Sequence, residues 1–333
     1  MTAVLDLLTL ALRPGIGPRA LRDLLGRGPL ADVRVTPEER RRAEEEMKKA
    51  EGAGARIVSW DDDDYPHLLR RTYAPPPVMW VRGTLRREES AVAVVGSRGA
   101  SPVGRLAARA MGRDLAAAGL TVVSGLARGI DTAAHEGAVE ARGRTVAVLG
   151  SGLARLYPRE NARLTDRIVE AGGAVVSEFP MEMAPDPGHF PRRNRVIAGW
   201  SKAVVVVEAQ TKSGALSTAR TAAEEGRDVY AVPGHPSQPN AAGTNQLIRD
   251  GAALVRDASD VLSELGLSPS LVQPSLFAEG ETLWAALRAD APSSVEELHE
   301  RSGRAIPDIL GELTALELAA KVKRLPGGLY VRN

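Results

Sequence analysis

Residues 92–110, VAVVGSRGASPVGRLAARA, contain an apolar strand pattern, a turn and the start of a helical pattern. The apolar run is rich in β-branched valine and ends at Gly96, and Ser97, Arg98 and Gly99 separate it from the helix. Strand–turn–helix units of this kind open many nucleotide-binding α/β folds, because the first N–H groups of the helix can face a phosphate. The stretch predicts a Rossmann-like domain and leaves open which phosphate, if any, it binds.

Six short apolar runs alternate with helical patterns through the middle of the chain. Runs that are apolar on both faces and separated by amphipathic helices predict a mostly parallel sheet covered on both sides. The runs are residues 91–95, 120–123, 145–149, 174–176, 203–207 and 229–232. We therefore assign residues 91–268 to a Rossmann-like core of the α/β class.

The segments on either side of this core predict smaller modules. Residues 1–60 are predicted to form a helical domain of SAM or helix–hairpin–helix type around a Pro-Gly-Ile-Gly turn, although a plain packing hairpin of two helices is the alternative. Residues 61–90 begin with four consecutive aspartates, which we interpret as a solvated turn rather than a metal site. The rest of this segment is predicted to be an extension that leads into an edge strand. Residues 269–280 are predicted to be a linker, and residues 281–333 a winged helix.

Composition limits the classes of site that the chain can hold. Of its 333 residues 44% are hydrophobic, which is enough for a large core and more than one domain. The formal net charge is +1, so anion binding must come from local clusters of charge. The chain has no cysteine, which excludes disulfides, thiolate nucleophiles and cysteine-based zinc sites. It has no apolar window long enough to span a membrane, and we predict a soluble cytoplasmic protein.

The turns that follow the six strands share one edge of the predicted sheet, because the carboxyl ends of parallel strands lie together and ligands bind there. Four of the first five turns contain a Ser-Gly or Gly-Ser pair, which lets backbone N–H groups face an anion. The first five turns together contain Arg98, Arg128, Arg155, Arg159, Arg192, Arg193, Arg195 and Lys212. Each cation alone is more often a surface or ion-paired side chain, but together they favour a ligand with several phosphates, a polynucleotide or at least a dinucleotide.

Two small-molecule alternatives have weaker support. The dinucleotide fingerprint G-x-G-x-x-G is absent after the first strand, and the second strand ends in Ser124 and Gly125 rather than in an acidic residue. A hydrolytic set of Ser97, His135 and Asp131 lacks the G-x-S-x-G elbow, and His135 follows Asp131 by one helical turn. The sequence therefore favours a polynucleotide, and we assign no residue to a metal or a cofactor.

Long motifs at this edge resemble those of the DprA (Smf) family of DNA-processing proteins. They include VVSGLARGIDTAAHEGA at residues 122–138, TVAVLGSGLARLYPREN at residues 145–161 and FPRRNRVIAGW at residues 190–200, and the resemblance extends over roughly residues 60–260. It implies a Rossmann-like homodimer that binds and protects incoming single-stranded DNA and loads RecA onto it in natural transformation. It also implies no small-molecule cofactor and no catalysis.

The resemblance assigns the single-stranded DNA site residue by residue. The residues are Ser97, Arg98, Gly99, Ser124, Gly125, Arg128, Gly129, Arg159, Asn194, Arg195, Ser213 and Gly214. One departure is Val103 followed by Gly104, where the family often has an aromatic residue before the glycine. Only 4% of the residues are aromatic, and we predict that Tyr157 and Phe190 serve packing, so that binding depends on charge and backbone amides with little sequence preference.

An enzymatic alternative from another class stays open at this point. Rossmann-like proteins of the lysine-decarboxylase-like group cleave nucleoside monophosphates, and Glu178 and Glu208 are candidates for an acid and a base here if they are desolvated. The Pro-Gly-Gly-x-Gly-Thr-x-x-Glu loop of that group is absent from this chain. We therefore predict a binding protein rather than an enzyme.

The predicted winged helix raises a separate question about its ligand. Residues 281–333 contain seven Lys and Arg residues and eight Asp and Glu residues, a formal charge of −1. A module that binds duplex DNA usually has a basic face. We therefore predict that this domain docks a protein rather than duplex DNA.

Overall fold

The computed structural model divides the chain into two units, Met1–Ser270 and Leu271–Asn333. It describes residues 2–25, 35–267, 283, 287, 292–302, 305–318, 321–325 and 328–332. Within these residues no helix combines the length and apolar character needed to cross a membrane. The predicted linker, residues 269–280, lies outside the described residues.

A nine-stranded sheet forms the centre of the first unit. Its strands are β1 (Arg56–Ser59), β2 (Val78–Gly83), β3 (Ala91–Val95), β4 (Thr121–Ser124), β5 (Thr145–Leu149), β6 (Ala174–Ser177), β7 (Ala203–Val206), β8 (Asp228–Ala231) and β9 (Ala253–Leu254). Their order across the sheet is β1-β2-β6-β5-β4-β3-β7-β8-β9. The pairs β1–β2 and β2–β6 are antiparallel and the other pairs are parallel, which confirms the prediction of a mostly parallel α/β sheet.

Helices cover both faces of this sheet. They are α1 (Thr2–Ala11), α2 (Pro18–Leu25), α3 (Pro37–Gly52), α4 (His67–Arg70), α5 (Pro102–Ala117), α6 (Ile130–Glu140), α7 (Ala162–Glu170), α8 (His189–Trp200), α9 (Gly214–Glu224), α10 (Ala242–Arg249) and α11 (Ala258–Glu264). In β3, Ala93 and Val95 pack toward α8 and α9, whereas Val92 and Val94 pack toward α5 and α6. The continuous apolar run of β3 follows from this double burial, because both faces of the strand must be apolar.

The first part of the sheet differs from the prediction. We predicted an edge strand after the proline-rich segment, but β2 is flanked by β1 and β6, and β1 occupies the edge. The segment 1–60 is also not wholly helical, because β1 lies at its end. Leu7, Leu8 and Leu21 of the N-terminal helices share one apolar cluster with Trp80 of β2, so these helices pack on the sheet.

The second unit contains the elements of a winged helix. The described elements are α12 (Val295–Ser302), α13 (Ile306–Leu318), β10 (Val322–Leu325) and β11 (Leu329–Arg332). Strands β10 and β11 pair antiparallel, and Leu298, Leu313 and Tyr330 belong to the core of the unit. Much of the first of the three predicted helices lies outside the described residues.

Buried His135 makes stability pH-dependent. The ring is fully buried in α6, its Nδ1 lies 2.7 Å from Thr145 Oγ1, and burial lowers its pKa from 6.5 to about 3. The unfolded chain therefore binds a proton between these two pKa values that the folded chain does not, so stability is lost as pH falls below 6.5. Between pH 7 and pH 5 we expect this histidine to remove about 2 kcal/mol from the free energy of unfolding.

The His135 prediction is tested by urea unfolding of the wild type and of His135→Leu at pH 7 and at pH 5. The variant should lose less stability between the two pH values, by about 2 kcal/mol, because its side chain cannot be protonated. An equal loss in both proteins would show that His135 does not titrate in this way.

Candidate nucleic-acid interface

A pocket of about 600 Å³ lies at the carboxyl ends of β3 and β7, and we call it the edge pocket. It brings together six of the predicted site residues: Ser97, Arg98, Gly99, Asn194, Ser213 and Gly214. Lys212, Asp131, Phe190 and Arg193 also contribute to its lining. The first and fifth strand-end turns therefore meet, because β3 and β7 are neighbours in the sheet.

The first turn is held in place by β7 and by the start of α6. Ser97 N donates to Glu208 O at 2.7 Å, and the Glu208 carboxylate accepts hydrogen bonds from Ser101 N at 2.9 Å and from Ser101 Oγ at 2.5 Å. Gly129 has φ of +80°, and a Cβ there would lie 2.3 Å from Ser97 O. The turn is thus preorganised by contacts on two sides, and an alanine cannot replace Gly129 without moving it.

Arg98 is the exposed cation of this turn. Its guanidinium carbon lies 4.5 Å from the centre of the Phe190 ring, and the structure pairs it with no carboxylate among the described residues. The Phe190 ring in turn lies 6.1 Å from the Tyr157 ring, between centroids. A cation held over an aromatic face loses little side-chain freedom on binding a phosphate, so Arg98 is the cation best placed to bind one.

The second turn is covered by Arg193. This side chain, 4% exposed, donates from Nη1 to Gly125 O and to Val148 O at 2.5 Å each, and its guanidinium occupies the space beside Gly125. Ser124 is fully buried and donates to Val94 O at 2.6 Å. The structure therefore places Ser124 and Gly125 below the surface of the edge pocket and not on it.

Arg193 carries a positive charge beneath the pocket. Burial lowers its pKa to about 10, so it stays protonated at neutral pH. Asp131 is its neighbouring carboxyl group, 5% exposed, and accepts from Gly125 N at 3.1 Å. Burial raises the pKa of Asp131 while the charge of Arg193 opposes that rise. The charge of Arg98 opposes the rise as well, so buried Asp131 feels two cations without forming a direct ion pair with Arg193.

The fifth turn starts α9 with an open backbone. Ser213 Oγ accepts from Ala215 N at 3.2 Å, and Asn194 Nδ2 donates to Gly214 O at 3.2 Å. A Cβ built at Gly214 meets nothing within 4 Å, and the same holds for Gly99 on the first turn. Both glycines therefore leave free space beside the backbone, which a phosphate can approach closely.

Three of the four arginines assigned to the DNA site lie away from the edge pocket. Arg128 is exposed, pairs with Glu160 at 2.7 Å and lines a neighbouring pocket together with Gly129 and Arg98. Arg195 is bound to Glu178 and to Ala74 O. Arg159 is exposed in a 3-10 turn. Arg128 shares its pocket with Arg98, which also lines the edge pocket.

The residues considered above as catalytic candidates form hydrogen bonds and ion pairs that leave no catalytic set among them. His135 is bonded to Thr145, and Asp131 accepts backbone N–H groups, so neither forms a triad with Ser97. The Glu178 side chain is 3% exposed and pairs with Arg192 and Arg195. Glu208, by contrast, is the central contact of the first turn, a structural role that the sequence pattern did not indicate.

Comparison with known proteins identifies the class to which this fold and edge belong. Residues 56–266 match the family described as DNA recombination-mediator protein A, and residues 267–328 match the DprA winged helix domain. The family models and the fold define a DNA-processing protein with a Rossmann-like core. The chain belongs to the DprA (Smf) family.

Individual relatives agree with this assignment. The chain is 41% identical to protein Smf of Escherichia coli (strain K12), over 83% of this chain and 77% of that protein. The X-ray structure of DNA processing protein A from Streptococcus pneumoniae is 34% identical, with a TM-score of 0.63 over 78% of this chain and 95% of that chain. DNA processing protein A from Helicobacter pylori, whose structure is described by its single-stranded DNA binding mode, is 26% identical, with a TM-score of 0.56 over 63% of this chain and 95% of that chain.

Proposed function

We propose that the edge pocket binds the backbone of single-stranded DNA. The observation that supports this most strongly is Arg98, an exposed cation over Phe190 and without a carboxylate partner among the described residues, beside the open backbone at Gly99 and Gly214. The guanidinium supplies charge and the two turns supply N–H groups, while the Phe190 ring holds the guanidinium in place. Such contacts recognise phosphates with little regard to sequence.

The direct test is a fluorescence anisotropy titration with labelled oligo-dT and with a duplex of equal length at fixed salt. We expect the single strand to bind at least about tenfold more tightly, because a stiff duplex cannot follow a narrow pocket. Equal affinity for both, or no affinity for either, would contradict the proposal.

Gly99 and Gly214 provide a test that separates folding from binding. Gly99→Ala and Gly214→Ala should leave the free energy of unfolding within about 1 kcal/mol, since each Cβ enters open space. The same methyl groups should lower affinity for oligo-dT by about fivefold or more, because they occupy the space into which a phosphate would come. Affinity is measured by anisotropy and stability by urea unfolding.

Gly52→Ala is the matched control for these variants. Gly52 also has open space around its Cβ position but lies at the end of α3, outside the edge pocket. It should bind oligo-dT like the wild type. Unchanged affinity in Gly99→Ala and Gly214→Ala would show that the ligand does not approach these turns.

Protection of the strand and loading of RecA are the cellular roles we propose for this binding, in natural transformation and recombination in the cytoplasm. The match to a family described as a recombination mediator supports them. The test is RecA filament assembly on oligo-dT, which this protein should accelerate and Arg98→Ala should not. We also propose a homodimer, and sedimentation of the free protein at several concentrations tests it.

We propose that the protein acts by binding and not by catalysis. Glu178 and Glu208, the two candidate acid–base residues, are held in ion pairs and backbone contacts, which supports this interpretation. Incubation with AMP and chromatography of the products should show no released adenine. Release of the base that disappears in Glu208→Gln would instead favour the nucleotide-cleaving alternative.

A further inference from the structure

A second opening, of about 450 Å³, lies on the other side of the amino end of α8, and we call it the N-terminal groove. The turn between α1 and α2, residues 14–17, lines it, as do Arg42 of α3, Trp80 of β2, and His189 and Arg192 of α8. Phe190 and Asn194 of the same helix line the edge pocket. One helix end thus separates two openings.

The N-terminal groove contains polar groups that lack a partner. Trp80 is 1% exposed, and its buried indole Nε1 donates to no acceptor among the described residues. The buried Nδ1 of His189 is likewise unpartnered among them, although its ring stacks on Phe179 at 4.2 Å. A buried donor without an acceptor costs free energy, about 1–3 kcal/mol, which a ligand that supplies the acceptor would recover.

The charges around the N-terminal groove favour an anion. Arg42 is exposed and has no carboxylate partner among the described residues. The acid that lines the groove, Glu178, is neutralised by Arg192 at 2.8 Å and by Arg195. The amino end of α8 is already occupied by Asp186, whose carboxylate accepts from Gly188 N at 2.8 Å, so Arg42 is the cation through which the groove would bind an anion.

We propose that the N-terminal groove takes a further nucleotide of the strand bound in the edge pocket. The strand crosses the amino end of α8, a phosphate meets Arg42, and the base accepts from the indole of Trp80. This rests on the proposed function and extends it, because it makes the N-terminal helices part of the DNA site and predicts that affinity depends on strand length.

The test compares oligo-dT of two nucleotides, too short to fill both openings, with oligo-dT of twenty-four. Arg42→Ala and Trp80→Phe should lower affinity for the long strand about fivefold and leave the short strand within about twofold, because only the long strand reaches both openings. Lys48→Ala is the matched control, since Lys48 is exposed on the same helix α3 but does not line the groove.

The outcomes separate this inference from the proposed function. No loss in Arg42→Ala and Trp80→Phe with the long strand, or an equal loss with both lengths, would overturn the groove proposal. The edge pocket fails instead if Arg98→Ala binds both lengths like the wild type. Arg42 is a surface residue, so its variant stays informative even if Trp80→Phe lowers the melting temperature.

Discussion

Arg98→Ala should lower affinity for oligo-dT by about tenfold to a hundredfold without changing the fold. A hydrogen bond to a charged group contributes about 1.5–3 kcal/mol, and Arg98 is the exposed cation of the edge pocket that is stacked on Phe190. The side chain takes part in no ion pair with a described residue, so its removal leaves no carboxylate unpaired. The loss should therefore appear in binding and not in stability.

The salt dependence of binding shows whether the affinity lost in Arg98→Ala comes from a phosphate contact. The slope of log affinity against log salt is about −0.7 for each phosphate neutralised on a single strand, so Arg98→Ala should bring the slope closer to zero by about that amount. Arg98→Lys should recover part of the affinity, because it keeps the charge but not the fork or the flat stack on Phe190. A lower affinity with an unchanged slope would mean that Arg98 maintains the shape of the edge pocket and does not contact a phosphate.

Arg155→Ala is the control for Arg98→Ala. Arg155 follows β5 at the same edge but pairs with Glu182 at 2.7 Å and does not line the edge pocket. Removing it deletes one exposed positive charge from the turn that follows β5. Its affinity and salt slope should stay close to those of the wild type.

Arg193→Leu should destabilise the first unit by about 3–5 kcal/mol. The substitution removes the donor to Gly125 O and Val148 O and takes away the larger of two positive charges that act on buried Asp131, Arg98 being the other. Two buried carbonyl groups that lose their donor, and a buried carboxyl group that loses nearby positive charge, each cost free energy because water does not replace the lost contact. Urea unfolding of the wild type and the variant measures the difference.

A double substitution separates the effect on the buried carboxyl group from the lost hydrogen bonds. Asp131→Asn in the Arg193→Leu background removes that carboxyl group and should recover at least about 1 kcal/mol. If the double variant is no more stable than Arg193→Leu, the cost lies in the two carbonyl groups and not in the charge. Stability close to wild type in Arg193→Leu alone would contradict the assigned role of this residue.

The six strands from β3 to β8 were predictable because each of them carries a local apolar signal. The apolar run of β3 must face helices on both sides, and such a run is visible in a single sequence. Strand β2 was wrongly predicted at an edge, because its neighbours β1 and β6 come from separate parts of the chain. Pairing between distant segments leaves no periodic pattern in either of them.

The candidate site was only partly visible in the sequence. The meeting of Arg98 with Ser213 follows from the rule that parallel strands end at one edge, so it needed only the strand positions. The burial of Ser124 and Gly125 depends on Arg193, which comes from α8, far along the chain, and lies beneath the turn. Which arginine is buried and which is exposed is decided by packing in three dimensions, and residue type alone does not show it.

The order of the strands explains why an opening exists at the end of β3 in the first place. The chain leaves β3 toward β4, β5 and β6 on one side, and later returns to add β7, β8 and β9 on the other side. Connections that leave the middle of a sheet in opposite directions leave a crevice between them. The crevice follows from the backbone connections and does not require small side chains. The edge pocket therefore results from the order of the strands. Mutations in the turns can change which ligand binds there while the pocket itself remains.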